Sequence, residues 1–132
     1  MKIKFNEEEK KVISGFLFQT KYGARRKVAD MDYLLEKGSI TNDRYEQIIE
    51  SNKQTIKRIE KLINKFVTPS AFIKLKRNDA KDLTEIVDTV VVIQESVVDA
   101  DKPHLTDADY QTCKSALEKL IDGLVRSVAQ DR

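Results

Sequence analysis

The chain has 132 residues, the length of one domain, and a domain of this size buries roughly two thirds of its unfolded surface without a metal or disulfide staple. Charged residues make up 35% of it and only four glycines and two prolines interrupt it, which favours long solvated helices over a loop-rich β fold. The lone cysteine, Cys113, excludes an internal disulfide. No apolar run near the start suits a signal peptide or a membrane span, so a cytoplasmic protein is expected.

The net charge of +2 conceals two opposed halves. Up to Arg77 there are 18 Lys and Arg against 10 Asp and Glu; from Asn78 onward there are 6 against 12. A near-neutral total therefore coexists with a basic first half and an acidic second half.

In chain order, Asn6 is the expected N-cap of a first helix over about residues 7 to 36, with Glu7, Glu8 and Glu9 at the positive end of its dipole. Ile13, Phe16, Leu17, Ala24, Val28, Met31, Leu34 and Leu35 keep one helical phase across Gly23, so a single long helix is predicted. Gly38 stands at a C′ position and Thr41 caps the next helix, a connection short enough to make the two helices antiparallel neighbours. The words LLEKGSIT followed by Tyr45 resemble a hairpin shared by many helical domains, the short SHOCT-type module among them. That resemblance implies a helical hairpin and no activity.

A second helix is expected from Asn42 to Phe66 on the heptad seam Tyr45, Ile49, Asn52, Ile56, Ile59, Ile63 and Phe66. Asn52 is the polar member of the seam, and a hydrogen bond to Thr20 on the first helix would satisfy it. Val67, Thr68 and Pro69 end this helix, with Thr68 capping a short extra helical turn near residue 70 and a break near Asn78. A third helix is predicted over residues 80 to 98 despite the β-branched run TVVVIQESVV. Leu83, Ile86, Val87, Val90, Ile93 and Val97 hold a helical period there. A connection at 99 to 105 leads to Thr106 as cap and a last helix on Tyr110, Cys113, Leu117, Leu120, Leu124 and Val128.

Ile40, Thr41, Asn42 and Tyr45 match Leu105, Thr106, Asp107 and Tyr110 in type and spacing. Two helix starts of the same kind explain the match more simply than a duplicated hairpin. The predicted architecture is one all-α domain over residues 1 to 132, an antiparallel up-and-down bundle of four main helices.

Such a bundle would gather Lys2, Lys4, Lys10, Lys11, Lys61, Lys65, Lys74, Lys76, Arg77 and Arg126 at one end. The other end would hold Glu36, Asp43, Asp99, Asp101, Asp107 and Asp109. The candidate partner-binding residues are Lys21, Arg25, Arg26 and Lys27 on the first helix, Lys53, Lys57, Lys61 and Lys65 at four-residue spacing on the second, and Lys74, Lys76 and Arg77 beyond it. A row of lysines at that spacing opposes its own helix by about 0.2–0.5 kcal/mol per pair, and a solvated face is its commonest meaning. The same row suits an acidic protein surface or nucleic-acid phosphate. Only Tyr22 lies inside such a cluster, so base stacking is poorly supplied.

Chemistry is sparse. His104 beside Pro103 reads as a loop histidine, and Cys113 on an apolar stripe reads as a buried small hydrophobe. No glycine-rich phosphate loop appears, and Asp99, Asp101, Asp107 and Asp109 lack the glycine and spacing of a calcium loop. Glu85, Asp88, Glu95 and Asp99 resemble the Mg-binding helices of all-α nucleotide pyrophosphatases of the MazG type, although Glu46 and Glu50 match the second helix of that pattern poorly. A solvated acidic face accounts for them better. The expectation is a non-enzymatic adaptor, inhibitor or regulatory protein, without cofactor or metal, monomeric rather than homodimeric, that docks on an acidic protein surface. Regulators of viral and mobile-element origin belong to that class. Nucleic-acid phosphate binding is the alternative, and a Mg-dependent nucleotide pyrophosphatase the second alternative.

Overall fold

A computed structural model describes residues 1–96 and 105–130. Its elements are β1 (Lys2–Lys4), α1 (Glu7–Glu36), α2 (Asn42–Phe66), β2 (Phe72–Lys74), α3 (Arg77–Ser96) and α4 (Asp107–Gln130). The expected all-α class with four main helices is what the chain adopts, with a two-stranded sheet added. The chain divides into two compact units, Leu17–Asn64 and Met1–Phe16 with Lys65–Arg132. Residues 97–104, which hold Val97 of the predicted third helix and Asp99, Asp101, Pro103 and His104 of the connection expected after it, lie outside the described residues.

Helix α1 starts where the sequence places it, by a reciprocal capping box. Asn6 Oδ1 accepts from the Glu9 amide at 2.8 Å, and the Asn6 amide donates to Glu9 Oε1 at 2.8 Å. The helix runs unbroken past Gly23 and ends in a Schellman turn. There Gly38 takes φ 73°, Gly38 N–H donates to the Leu35 carbonyl at 3.1 Å and Ser39 N–H to the Leu34 carbonyl at 2.9 Å. Thr41 Oγ1 then accepts from Arg44 N–H at 3.2 Å and opens α2.

Within the unit Leu17–Asn64, α1 and α2 form a hairpin whose buried residues are Leu17, Ile49, Ile59, Leu62 and Ile63. Tyr45, Asn52 and Ile56, on the same seam, are half-buried. Polar ties supplement this thin core. Glu60 receives Lys21 at 3.2 Å and Arg25 at 3.8 Å, and the Tyr45 hydroxyl donates to Asp32. Asn52 does not use the expected cross-helix bond to Thr20. Its amide donates at 2.8 Å to the Ile48 carbonyl one turn back on its own helix, the nearest acceptor for a short polar side chain in α2.

In the other unit the extra helical turn near residue 70 is replaced by β2. Residues 72 to 76 alternate, with Ile73 and Leu75 buried and Phe72, Lys74 and Lys76 exposed, and Ile3 and Phe5 repeat that alternation at the start of the chain. A period of two cannot be wound into a helix without exposing Ile73 or Leu75. The strands are antiparallel in the register Lys2↔Lys74, Ile3↔Ile73, Lys4↔Phe72. Met1 N donates to the Leu75 carbonyl at 2.9 Å, Leu75 N–H to the Met1 carbonyl at 2.8 Å, and Phe5 N–H to the Ala71 carbonyl at 2.9 Å. Thr68, expected to cap a new turn, instead donates its hydroxyl to the Lys65 carbonyl at 2.8 Å and closes the end of α2. The break expected near Asn78 falls just before Arg77, where α3 begins.

The β-branched third segment is helical, as its period requires. Ala80, Leu83, Val87 and Val91 are buried on α3 against Cys113, Ala116 and Leu120 of α4 in a core completed by Ile3, Phe5, Ile13, Phe66, Ile73 and Leu75. Phe5 and Phe66 meet with ring centroids 5.4 Å apart and planes inclined at 53°. Strand β1 also rests on α4 at Gly123, where an added Cβ would lie 2.9 Å from Ile3 Cδ1.

The chain thus runs twice through the order strand, helix, helix. Residues 3, 5, 13 and 17 are buried in the first pass, and residues 73, 75, 83 and 87 in the second. Tyr45 and Tyr110, each in the first turn of its helix, both donate to a carboxylate on the preceding helix, Asp32 and Glu95. The echo between the two helix starts is therefore part of a repeated unit. The repeat is carried by burial phase and strand register, which residue identity conceals.

Candidate interaction surface

Two adjacent charges on α1 are buried and serve the fold. Glu9 is fully enclosed and accepts from Ser115 Oγ at 2.8 Å, from Lys119 Nζ and from the Asn6 amide. Burial raises its pKa, but the hydrogen bonds from Lys119, Asn6 and Ser115 and the charge of Lys119 outweigh that and hold the carboxyl below its ordinary value. Lys10, which the sequence reading gathers with other basic residues at one end of a bundle, is 4% exposed and donates to the carbonyls of Thr68 and Ser70. Glu9 thereby ties α1 to α4, and Lys10 ties it to the loop before β2.

The sheet turns its other face outward. Alternation that sends Ile3 and Ile73 inward leaves Lys2, Lys4, Phe72 and Lys74 on the solvent side, with Lys76 continuing the row beyond β2. Phe72 is 57% exposed, and Lys4 Nζ lies 5.9 Å from the centre of its ring. A cleft of about 390 Å³ flanks β1, between Lys2 and Lys4 on one side and Lys119, Asp122, Arg126 and Gln130 of α4 on the other. A second cleft, of about 540 Å³, flanks β2 between Lys65, Thr68, Phe72, Lys74 and Arg77.

The residues proposed from sequence divide between the units. Lys65, Lys74, Lys76 and Arg77 come together around the second cleft. Lys65 Nζ donates to the Lys74 carbonyl at 3.0 Å, while Arg77 bonds Ser127 through Nε at 3.2 Å and Nη2 at 2.9 Å. In the other unit Lys21 and Arg25 are drawn onto Glu60, whereas Arg26, Lys27, Lys53, Lys57 and Lys61 are exposed. Sequence reasoning missed Phe72 as an exposed aromatic among lysines. The alternation of residues 72 to 76 is the local trace of it, and it becomes readable only once β1 is known to pair with that segment.

Among the described residues no group of three or more His, Cys, Asp and Glu side chains could hold a metal ion. Glu85, Asp88 and Glu95 are exposed on α3, and Asp99 lies outside the described residues. Cys113 is fully buried, and desolvation, with the charge of Asp109, pushes its thiol up to about 11, which disfavours the nucleophilic thiolate. None of the described helices is long and apolar enough to cross a membrane. Compared with protein-family models, curated proteins and solved structures, the chain matches none.

Proposed function

We propose that this is a non-enzymatic docking protein of the adaptor, inhibitor or regulatory kind, whose partner is a protein with an acidic surface. The observation that carries this reading is the outer face of the sheet, where the exposed ring of Phe72, with Lys4 Nζ 5.9 Å from its centre, shares a face with Lys2 and Lys74 and is followed along the chain by the exposed Lys76. Burying an aromatic anchor inside a basic rim is how a small surface combines affinity with charge selection.

The test is to capture partners from the source organism with the wild-type protein and with the Lys74→Glu, Lys76→Glu double variant, with and without nuclease treatment. A protein retained by the wild type after nuclease treatment and lost by the variant supports the reading; recovery of nucleic acid alone from the untreated sample, with no protein retained after treatment, contradicts it. Phe72 also favours a second reading, single-stranded nucleic acid stacked on that ring and held by the lysines, because it adds an exposed aromatic beside lysines where the sequence reading counted only Tyr22. Affinity for a random oligonucleotide that falls steeply with salt would establish that alternative.

A further inference from the structure

The two edges of the sheet are finished differently. Register sets which backbone groups face which way: Met1, Ile3 and Phe5 pair with Leu75, Ile73 and Ala71, so the N–H and C=O groups of Lys2 and Lys4 point away from β2. On β2 the corresponding groups of Phe72 and Lys74 point away from β1 and largely have partners. Phe72 N–H donates to Ser70 Oγ at 3.2 Å, the Phe72 carbonyl accepts from Ser70 Oγ at 3.0 Å, and the Lys74 carbonyl accepts from Lys65 Nζ at 3.0 Å. Among the described residues nothing bonds the outward groups of Lys2 and Lys4, and the 390 Å³ cleft opens beside them.

We infer that the β1 edge is a strand-addition site for an extended acidic segment of the partner. This rests on the docking reading and gives it a place. The outward N–H and C=O groups of Lys2 and Lys4 supply a ladder for one added strand, and the basic side chains of Lys2, Lys4 and Arg126 border the space that strand enters, beside Asp122 and Lys119, the latter held by Glu9. Lysine on an edge strand ordinarily guards against pairing with a second copy, because self-addition would set lysine against lysine. An acidic strand reverses the sign of that contact. The same residues that exclude another copy of this chain therefore select a carboxylate-bearing segment.

The experiment titrates the whole chain with a nine-residue peptide of alternating Glu and Val, with its Lys and Val counterpart, with an oligothymidine, and with the Glu and Val peptide N-methylated at alternate residues. The acidic peptide is expected to bind, more weakly as salt rises, and its lysine counterpart not to bind. Lys4→Pro removes an amide that β2 does not use together with the Lys4 ammonium, so it is read against Lys4→Ala, which removes the ammonium alone; relative to Lys4→Ala it is expected to weaken the acidic peptide by about tenfold or more, with the circular dichroism of the fold retained. N-methylation of the peptide, which leaves the protein unaltered, is expected to do the same. Absence of acidic-peptide binding, equal binding of the lysine peptide, or binding indifferent to both backbone changes overturns the inference. Oligothymidine binding that survives Lys4→Pro and displaces the peptide assigns the surface to nucleic acid instead. If the backbone tests fail while Lys74→Glu, Lys76→Glu still abolishes partner capture, docking stands and only its placement on the β1 edge falls.

Discussion

The two strand–helix–helix passes place apolar residues at the same positions and spend their polar residues differently. In the first, Asn6 and Glu9 form a capping box that Lys119 and Ser115 extend to α4, and β1 leaves its outer edge unbonded. In the second, Lys76 and Asp79 stand at the matching positions, with Asp79 half-buried rather than enclosed, and Ser70 and Lys65 engage the outer edge of β2. A repeated apolar frame thus fixes the fold twice, and the departures from the repeat mark where the two passes diverge in use.

The largest effect should come from the least symmetric buried group. Glu9→Ala strips an enclosed carboxylate from Lys119, Ser115 and the α1 cap and should cost about 3 kcal/mol in urea unfolding. Asp79→Ala at the matching position should cost less than about 1 kcal/mol. Equal losses would mean that the two caps do the same work. Because the Glu9 carboxyl is held below its ordinary value in the folded chain, its contribution is present above the pKa of the unfolded chain. It is lost as pH falls through the lower, folded value. The acid limb of stability should therefore be shallower in Glu9→Gln than in the wild type.

Next in size are the glycines. At Gly123, Ile3 Cδ1 and Cγ1 would lie 2.9 and 3.2 Å from an added Cβ, so Gly123→Val should cost about 1–3 kcal/mol by thermal unfolding. Shortening Ile3 to valine should recover part of that loss. Around Gly23 there is open space, and Gly23→Ala should stabilise by up to about 1 kcal/mol through helix propensity. Smallest is Asn52→Leu, which exchanges a bond within α2 for apolar contact on the hairpin seam. It should raise the melting temperature by a few degrees without changing the mass seen by light scattering.

Much of the helical frame was legible because long periodic segments and their caps are local signals. Asn6, Gly38, Thr41 and Thr106 each sit where their chemistry placed them, and the β-branched third helix followed from period alone. The sheet was not legible, since Lys2–Lys4 and Phe72–Lys74 are three residues each and their pairing joins distant parts of the chain. Three alternating residues look the same in a loop as in a strand until a partner is found. For the same reason the sequence located Lys74 and Lys76 but could not set Phe72 among lysines or bury Glu9 and Lys10, whose environments are built by elements far away in the chain. On the hairpin, Lys21 and Arg25 were legible as basic residues while their capture by Glu60 was not.

The contrast between the two edges is most directly tested by amide hydrogen exchange followed by NMR, in the free protein and with the acidic alternating peptide. Free protein should protect Ile3, Phe5, Ile73 and Leu75 while Lys2 and Lys4 exchange almost as fast as an unstructured chain, and the peptide should slow Lys2 and Lys4 selectively. Protection of Lys4 equal to that of Ile3 before any peptide is added, or no slowing after it, would contradict an edge held ready for an acidic strand.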